Sequence, residues 1–92
     1  PILGHVGDGN YHVLVVFDPT DEQQTENAHL LAKHIVDSAL QLGGTCTGEH
    51  GIGVGKKDAL LEEHGSAVFI MKKIKQKLDP NNIMNPGKIF DL

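Results

Sequence analysis

Residues 4–12 read GHVGDGNYH, with His5 and His12 on either side of a Gly-Asp-Gly. In a straight strand an odd offset sends two side chains to opposite faces. Asp8-Gly9 changes that expectation. Flanked by β-prone residues, it signals a hairpin, because a two-residue type I′ turn needs positive φ at both central positions. A turn centred there pairs Gly7 with Asn10, Val6 with Tyr11 and His5 with His12. Directly opposed residues share a face with Cβ atoms ~5 Å apart. Two imidazoles at that distance can bind one metal ion, zinc lying about 2.1 Å from each nitrogen. The competing reading is two histidines paired on a sheet surface without a ligand.

Two ligands do not complete a site. Glu49-His50, held between Gly48 and Gly51, supplies the next candidates. Neighbours on an extended segment point in different directions, so one can bind a metal while the other faces a substrate. A His2Glu set leaves a coordination position open, as catalytic zinc sites do. The glycine-rich GEHGIGVGK is not a phosphate loop. Counting back from Gly55-Lys56, position 50 is His where that motif needs Gly, and position 57 is Lys where it needs Ser or Thr. The glycines at 51, 53 and 55 also miss the dinucleotide-binding spacing. The other histidines carry less. His29 and His34 fall on different faces of a helix, and His64 suits a helix C-terminus. Cys46 reads as a small buried residue rather than a nucleophile.

The elements that must position these residues follow from pattern. Residues 11–17 (YHVLVVF) are β-branched and aromatic and predict a strand, preceded by one at residues 1–6. Thr20 offers an N-cap with Gln23 as capping-box partner. Ala28, Leu31, Ala32, Ile35, Val36, Ala39 and Leu42 then mark one face of a helix, which Gly43-Gly44 ends. Residues 45–47 predict a brief strand. A second helix is expected over residues 56–64, closed by Gly65, and a third over 67–78, capped by Ser66. In the third, Val68, Met71, Ile74 and Leu78 share a face. Residues 78–88, LDPNNIMNPGK, are turn chemistry. The order predicts an α+β fold. It corresponds to the second half of a ferredoxin-like βαββαβ unit with an antiparallel sheet, followed by C-terminal helices.

Composition narrows the function classes. The 92 residues make one small domain, with 39% apolar and 22% charged residues. A net charge of −4, with no basic run interleaved with aromatics, argues against nucleic acid. One cysteine excludes an intrachain disulfide and a CxxC zinc site. It fits a reducing compartment and a cytoplasmic placing, with a mitochondrial or peripheral-membrane placing as alternatives. No apolar run is long enough to span a bilayer. Pro1 in place of Met leads to the expectation of an excised or processed piece.

GHVGDGNYH, GGTCTGEHGIGVGK and LDPNNIMNPGKIF together closely resemble the C-terminal end of FAD-linked oxidases of the vanillyl-alcohol-oxidase type. Within that group they look most like D-lactate dehydrogenases and the glycolate oxidase large subunit, with D-2-hydroxyglutarate dehydrogenase as a relative. The resemblance covers essentially the whole chain. It implies that residues 1–92 are the C-terminal part of the substrate (cap) domain plus the tail, with the FAD-binding domain elsewhere in the same full-length chain. It implies oxidation of a D-2-hydroxy acid to a 2-oxo acid, with hydride passing to FAD and the hydroxyl proton to a base. The electron acceptor beyond the flavin is not specified. By resemblance His5, His12 and Glu49 bind a divalent ion such as Zn2+, and His50 is the base. By the same resemblance Asn85 and Asn10 are the cofactor-binding residues, Asn85 close to the flavin and Asn10 shaping the site. A neutral imidazole suits proton acceptance near pH 7. The piece alone is expected to be inactive. The alternative is a free-standing metal-binding or interaction module without flavin chemistry.

Overall fold

The computed structural model describes residues 1–92 and is α+β, with a two-stranded antiparallel sheet and three α-helices. The chain forms two units, Pro1–Glu49 and His50–Leu92.

The first unit opens with the hairpin. Strand β1 (Ile2–His5) pairs with β2 (Asn10–Val13), matching Ile2 with Val13, Leu3 with His12, Gly4 with Tyr11 and His5 with Asn10. The connection is a 3-10 turn, Val6–Asp8, ended by Gly9 at φ 74°. The Gly9 N–H donates to the Val6 carbonyl at 3.0 Å. This corrects the two-residue turn expected at Asp8-Gly9, and with it the direct pairing of His5 with His12. A type I′ turn needs both central residues at positive φ. Only Gly9 takes that conformation, while Asp8 stays in the 3-10 turn, where a side chain costs nothing. The loop therefore holds four residues. The strand is also shorter than residues 11–17. The Leu14 N–H still reaches the Pro1 carbonyl at 3.0 Å, and residues 14–17 beyond it are irregular.

Helix α1 (Glu22–Gln41) starts one residue later than Thr20 predicts. The cap is Asp21, whose carboxylate accepts the N–H groups of Gln23 (3.0 Å) and Gln24 (3.2 Å). Thr20 is engaged elsewhere, its hydroxyl donating to Asp18 at 2.7 Å. The end is a Schellman motif. The Gly44 N–H donates to the Ala39 carbonyl and the Gly43 N–H to the Leu40 carbonyl, with Gly43 at φ 81°. Ala28 is buried, and Ile35, Val36 and Ala39 are half-buried. Residues 45–47, expected as a strand, are not part of the two-stranded sheet, and Cys46 is buried.

In the second unit, α2 (Lys57–His64) and α3 (Ala67–Leu78) pack as a helical pair joined through Gly65. Leu60 and Val68 form its small core, and Val68 is 1% exposed. Burying such a side chain contributes on the order of 1.5–3 kcal/mol. Ser66 stands at the start of α3 but makes no side-chain cap. Instead the Val68 N–H donates to the Gly65 carbonyl and the Phe69 N–H to the Ser66 carbonyl.

The tail after α3 is organised by Asp79, which is buried. Its carboxylate accepts from the Lys75 ammonium and from the N–H groups of Ile83 (3.0 Å) and Met84 (2.9 Å). The Lys75 hydrogen bond, aided by the Met84 and Ile83 N–H groups, holds the Asp79 carboxyl down at about 2, against the opposing effect of burial. Farther along, the Ile89 N–H donates to the Gly53 carbonyl at 2.7 Å, and Lys57 pairs with Asp91 at 2.8 Å.

Candidate metal centre

The His12–Glu49 contact lies within the first unit. His12 is on β2, with its side chain 26% exposed. The pleat fixes its face and the Leu3 pairing fixes its register. Glu49 ends the segment that leaves the Schellman motif and passes through buried Cys46. Its carboxylate Oε1 stands 2.7 Å from His12 Nε2, and its side chain is 44% exposed.

A 2.7 Å separation is a short charge-assisted hydrogen bond. The same two atoms form a nitrogen–oxygen donor pair of the kind that borderline divalent ions accept. Proton and metal compete for such a pair, because a ligating imidazole must be deprotonated. The donor chemistry therefore fits a divalent ion. Thr47, two residues before Glu49 in the chain, carries a buried Oγ1 with no hydrogen-bond partner. A buried hydroxyl in that state calls for a water, an ion or a ligand.

The remaining sequence-derived residues are placed as follows. His5 ends β1, exposed, opposite Asn10. It shares a face with His12 as a diagonal rather than a direct neighbour, a relation that spans roughly 7–8 Å between such positions. Asn10 opens β2 and is half-buried. Its side-chain amide lies against Gly48, where a Cβ would overlap it. His50 is exposed and follows Glu49 in the chain as the first residue of the second unit. Asn85 is an exposed tail residue at φ 46°, whose carbonyl accepts the Lys88 N–H at 3.4 Å. Asparagine tolerates that left-handed conformation better than most residues.

Sequence reasoning missed three features: the Gly48 seat, the unpartnered Thr47 hydroxyl and the Asp79 hub. Only Asp79 carried a visible signal, its i, i+4 spacing from Lys75.

Comparison with known proteins gives a consistent result. The family model described as FAD linked oxidases, C-terminal domain, matches residues 2–89. The chain is 52% identical to the probable mitochondrial D-lactate dehydrogenase of Danio rerio, over 100% of this chain and 19% of that protein. It is 52% identical to the mitochondrial D-lactate dehydrogenase (cytochrome) of Arabidopsis thaliana, over 97% of this chain and 16% of that protein. It is 41% identical to the glycolate oxidase subunit GlcD of Bacillus subtilis, over 96% of this chain and 19% of that protein. The chain thus spans less than a fifth of the length of these relatives.

Proposed function

This chain belongs to the FAD linked oxidases through their C-terminal domain, and on that premise we propose that it serves an FAD-dependent dehydrogenase of D-2-hydroxy acids. Residues 1–92 then form the C-terminal part of its substrate domain together with the tail. D-lactate is the first substrate to test, because the relatives at 52% identity carry that name, with glycolate second. The observation that carries the reading is the His12–Glu49 donor pair, in a chain matched to the family along nearly its whole length.

In this reading His12 and Glu49 hold a divalent ion, most simply Zn2+, with His5 as the further ligand from the same hairpin face. The ion, when bound, makes an α-hydroxyl more acidic and gives the substrate carboxylate a fixed partner. His50 accepts the hydroxyl proton on an imidazole nitrogen. Asn10 keeps the segment before Glu49 against the hairpin. Asn85, held in the left-handed region, presents its amide toward the flavin. The flavin, bound mainly by the rest of the protein, supplies the hydride acceptor that side chains cannot. The names of several relatives place them in mitochondria, which favours that compartment for this protein too. No helix here is long and apolar enough to cross a membrane.

The test uses the complete protein with a dye as electron acceptor. Turnover of D-lactate above glycolate and D-2-hydroxyglutarate is expected, with most activity lost on chelation and restored by Zn2+. His5→Ala and Glu49→Ala should lose bound metal. Full activity in exhaustively chelated protein would remove the metal from the reading, and failure to oxidise any of the three acids would remove the substrate class.

A further inference from the structure

We infer that Gly48 is the seat of the Asn10 side chain, and that this seating is what aims Glu49 at His12. The inference rests on the proposed metal reading only in its metal-binding arm.

A methyl group at Gly48 would overlap Asn10 Oδ1 and would stand 2.6 Å from Asn10 Cγ and 3.3 Å from Nδ2. Real Cβ atoms essentially never approach another heavy atom within 3.0 Å. Exchanging the two ends of the amide does not relieve the overlap; only swinging the Asn10 side chain off Gly48 does. Gly48 is not among the glycines at positive φ. Its φ therefore makes no demand for glycine, and the crowding comes from the Asn10 side chain.

Geometry then couples the two contacts. Asn10 and His12 are two apart on β2, so their side chains leave the same face of the hairpin. Gly48 and Glu49 are consecutive on the opposing segment. Asn10 meets Gly48 and His12 meets Glu49, so two adjacent points of the strand grip two adjacent points of the loop. One contact alone would leave the loop free to pivot about it. Two fix both its distance and its orientation. Gly48 and Asn10 are positioning residues, acting on the metal ligands through the backbone.

The test compares wild type, Gly48→Ala, Asn10→Ala and the Asn10→Ala/Gly48→Ala double variant in the complete protein. One readout is Zn2+ affinity by titration of chelator-treated protein. The other is the His12–Glu49 separation in crystals of the metal-free protein. Gly48→Ala is expected to weaken Zn2+ binding by about 10–100-fold, the usual effect of disturbing groups that orient ligands, and to part His12 from Glu49. The double variant should recover only part of both and match Asn10→Ala, because truncating Asn10 makes room for the methyl group but also removes the seated amide. If Gly48→Ala does not fold, recovery of a folded double variant supports the seat and continued misfolding overturns it. Wild-type Zn2+ affinity with an intact contact in Gly48→Ala overturns it, as does a double variant no better than Gly48→Ala. If the wild type binds no Zn2+, the metal reading fails, and the crystallographic separations still decide the seat.

Discussion

Two carboxylates, one in each unit, show how differently the same group can be used. Asp79 is 6% exposed and takes its donors from close by in the chain: Lys75 and the N–H groups of Ile83 and Met84. Glu49 is 44% exposed and meets a histidine from a distant strand. A carboxylate enclosed by local donors organises backbone. One that stays reachable from solvent, facing an imidazole of separate origin, can exchange that partner for a ligand. Asp79 is therefore structural, and Glu49 stays open to a ligand, as the proposed metal site requires.

The contrast can be broken by substitution. The largest effect should come from His50→Ala, where loss of the proposed general base lowers kcat by roughly 10²–10⁴-fold. Zinc content, measured by atomic absorption, should stay at the wild-type level. Glu49→Gln comes next, with zinc affinity down by at least about tenfold and little change in melting temperature, because half-exposed pairs contribute at most about 1 kcal/mol. Asp79→Asn should do the converse, lowering the melting temperature while zinc affinity holds. If both variants lose stability and metal together, the division between the carboxylates collapses.

Acid sharpens the same point. The Asp79 carboxyl is held below its ordinary 3.8, at about 2 in the folded chain. The unfolded state thus binds the proton first, and stability falls as pH drops through that interval. The advantage of wild type over Asp79→Asn in urea midpoint should be complete above about pH 5 and should shrink as pH falls from 3.8 toward 2. The smallest effect is expected at Thr47. Replacing an unpartnered buried hydroxyl by a methyl relieves its desolvation, so Thr47→Val should raise the stability of zinc-free protein by about 1 kcal/mol in chemical denaturation. A loss of similar size would mean that the hydroxyl has a partner after all.

The parts of the molecule legible in the sequence are those decided locally. The α3 bounds follow from its apolar spacing and from Gly65, and the end of α1 follows from Gly43-Gly44. The start of α1 was ambiguous because Thr20 and Asp21 are both good caps. Asp18 settles it by engaging the Thr20 hydroxyl. The hairpin was legible but its register was not, since Asp8-Gly9 suits either a two-residue turn or a longer loop ending in one left-handed glycine. Moving the register by two residues leaves every side chain on its original face, so the shared face of His5 and His12 survived the error. The meeting of His12 with Glu49 followed from motif resemblance. The Asn10–Gly48 contact is tertiary, and no local pattern encodes it.

The tail holding Asn85 has one more consequence, best put in polymer terms. Asp79 fastens one end of it, and the Ile89–Gly53 hydrogen bond and the Lys57–Asp91 pair fasten the other. The intervening residues form a closed ring rather than a dangling end. The entropy of ring closure is spent during folding, when Asp79 and Ile89 engage. If the proposed flavin contact at Asn85 forms, it therefore finds little left to order, and more of the contact energy remains as affinity.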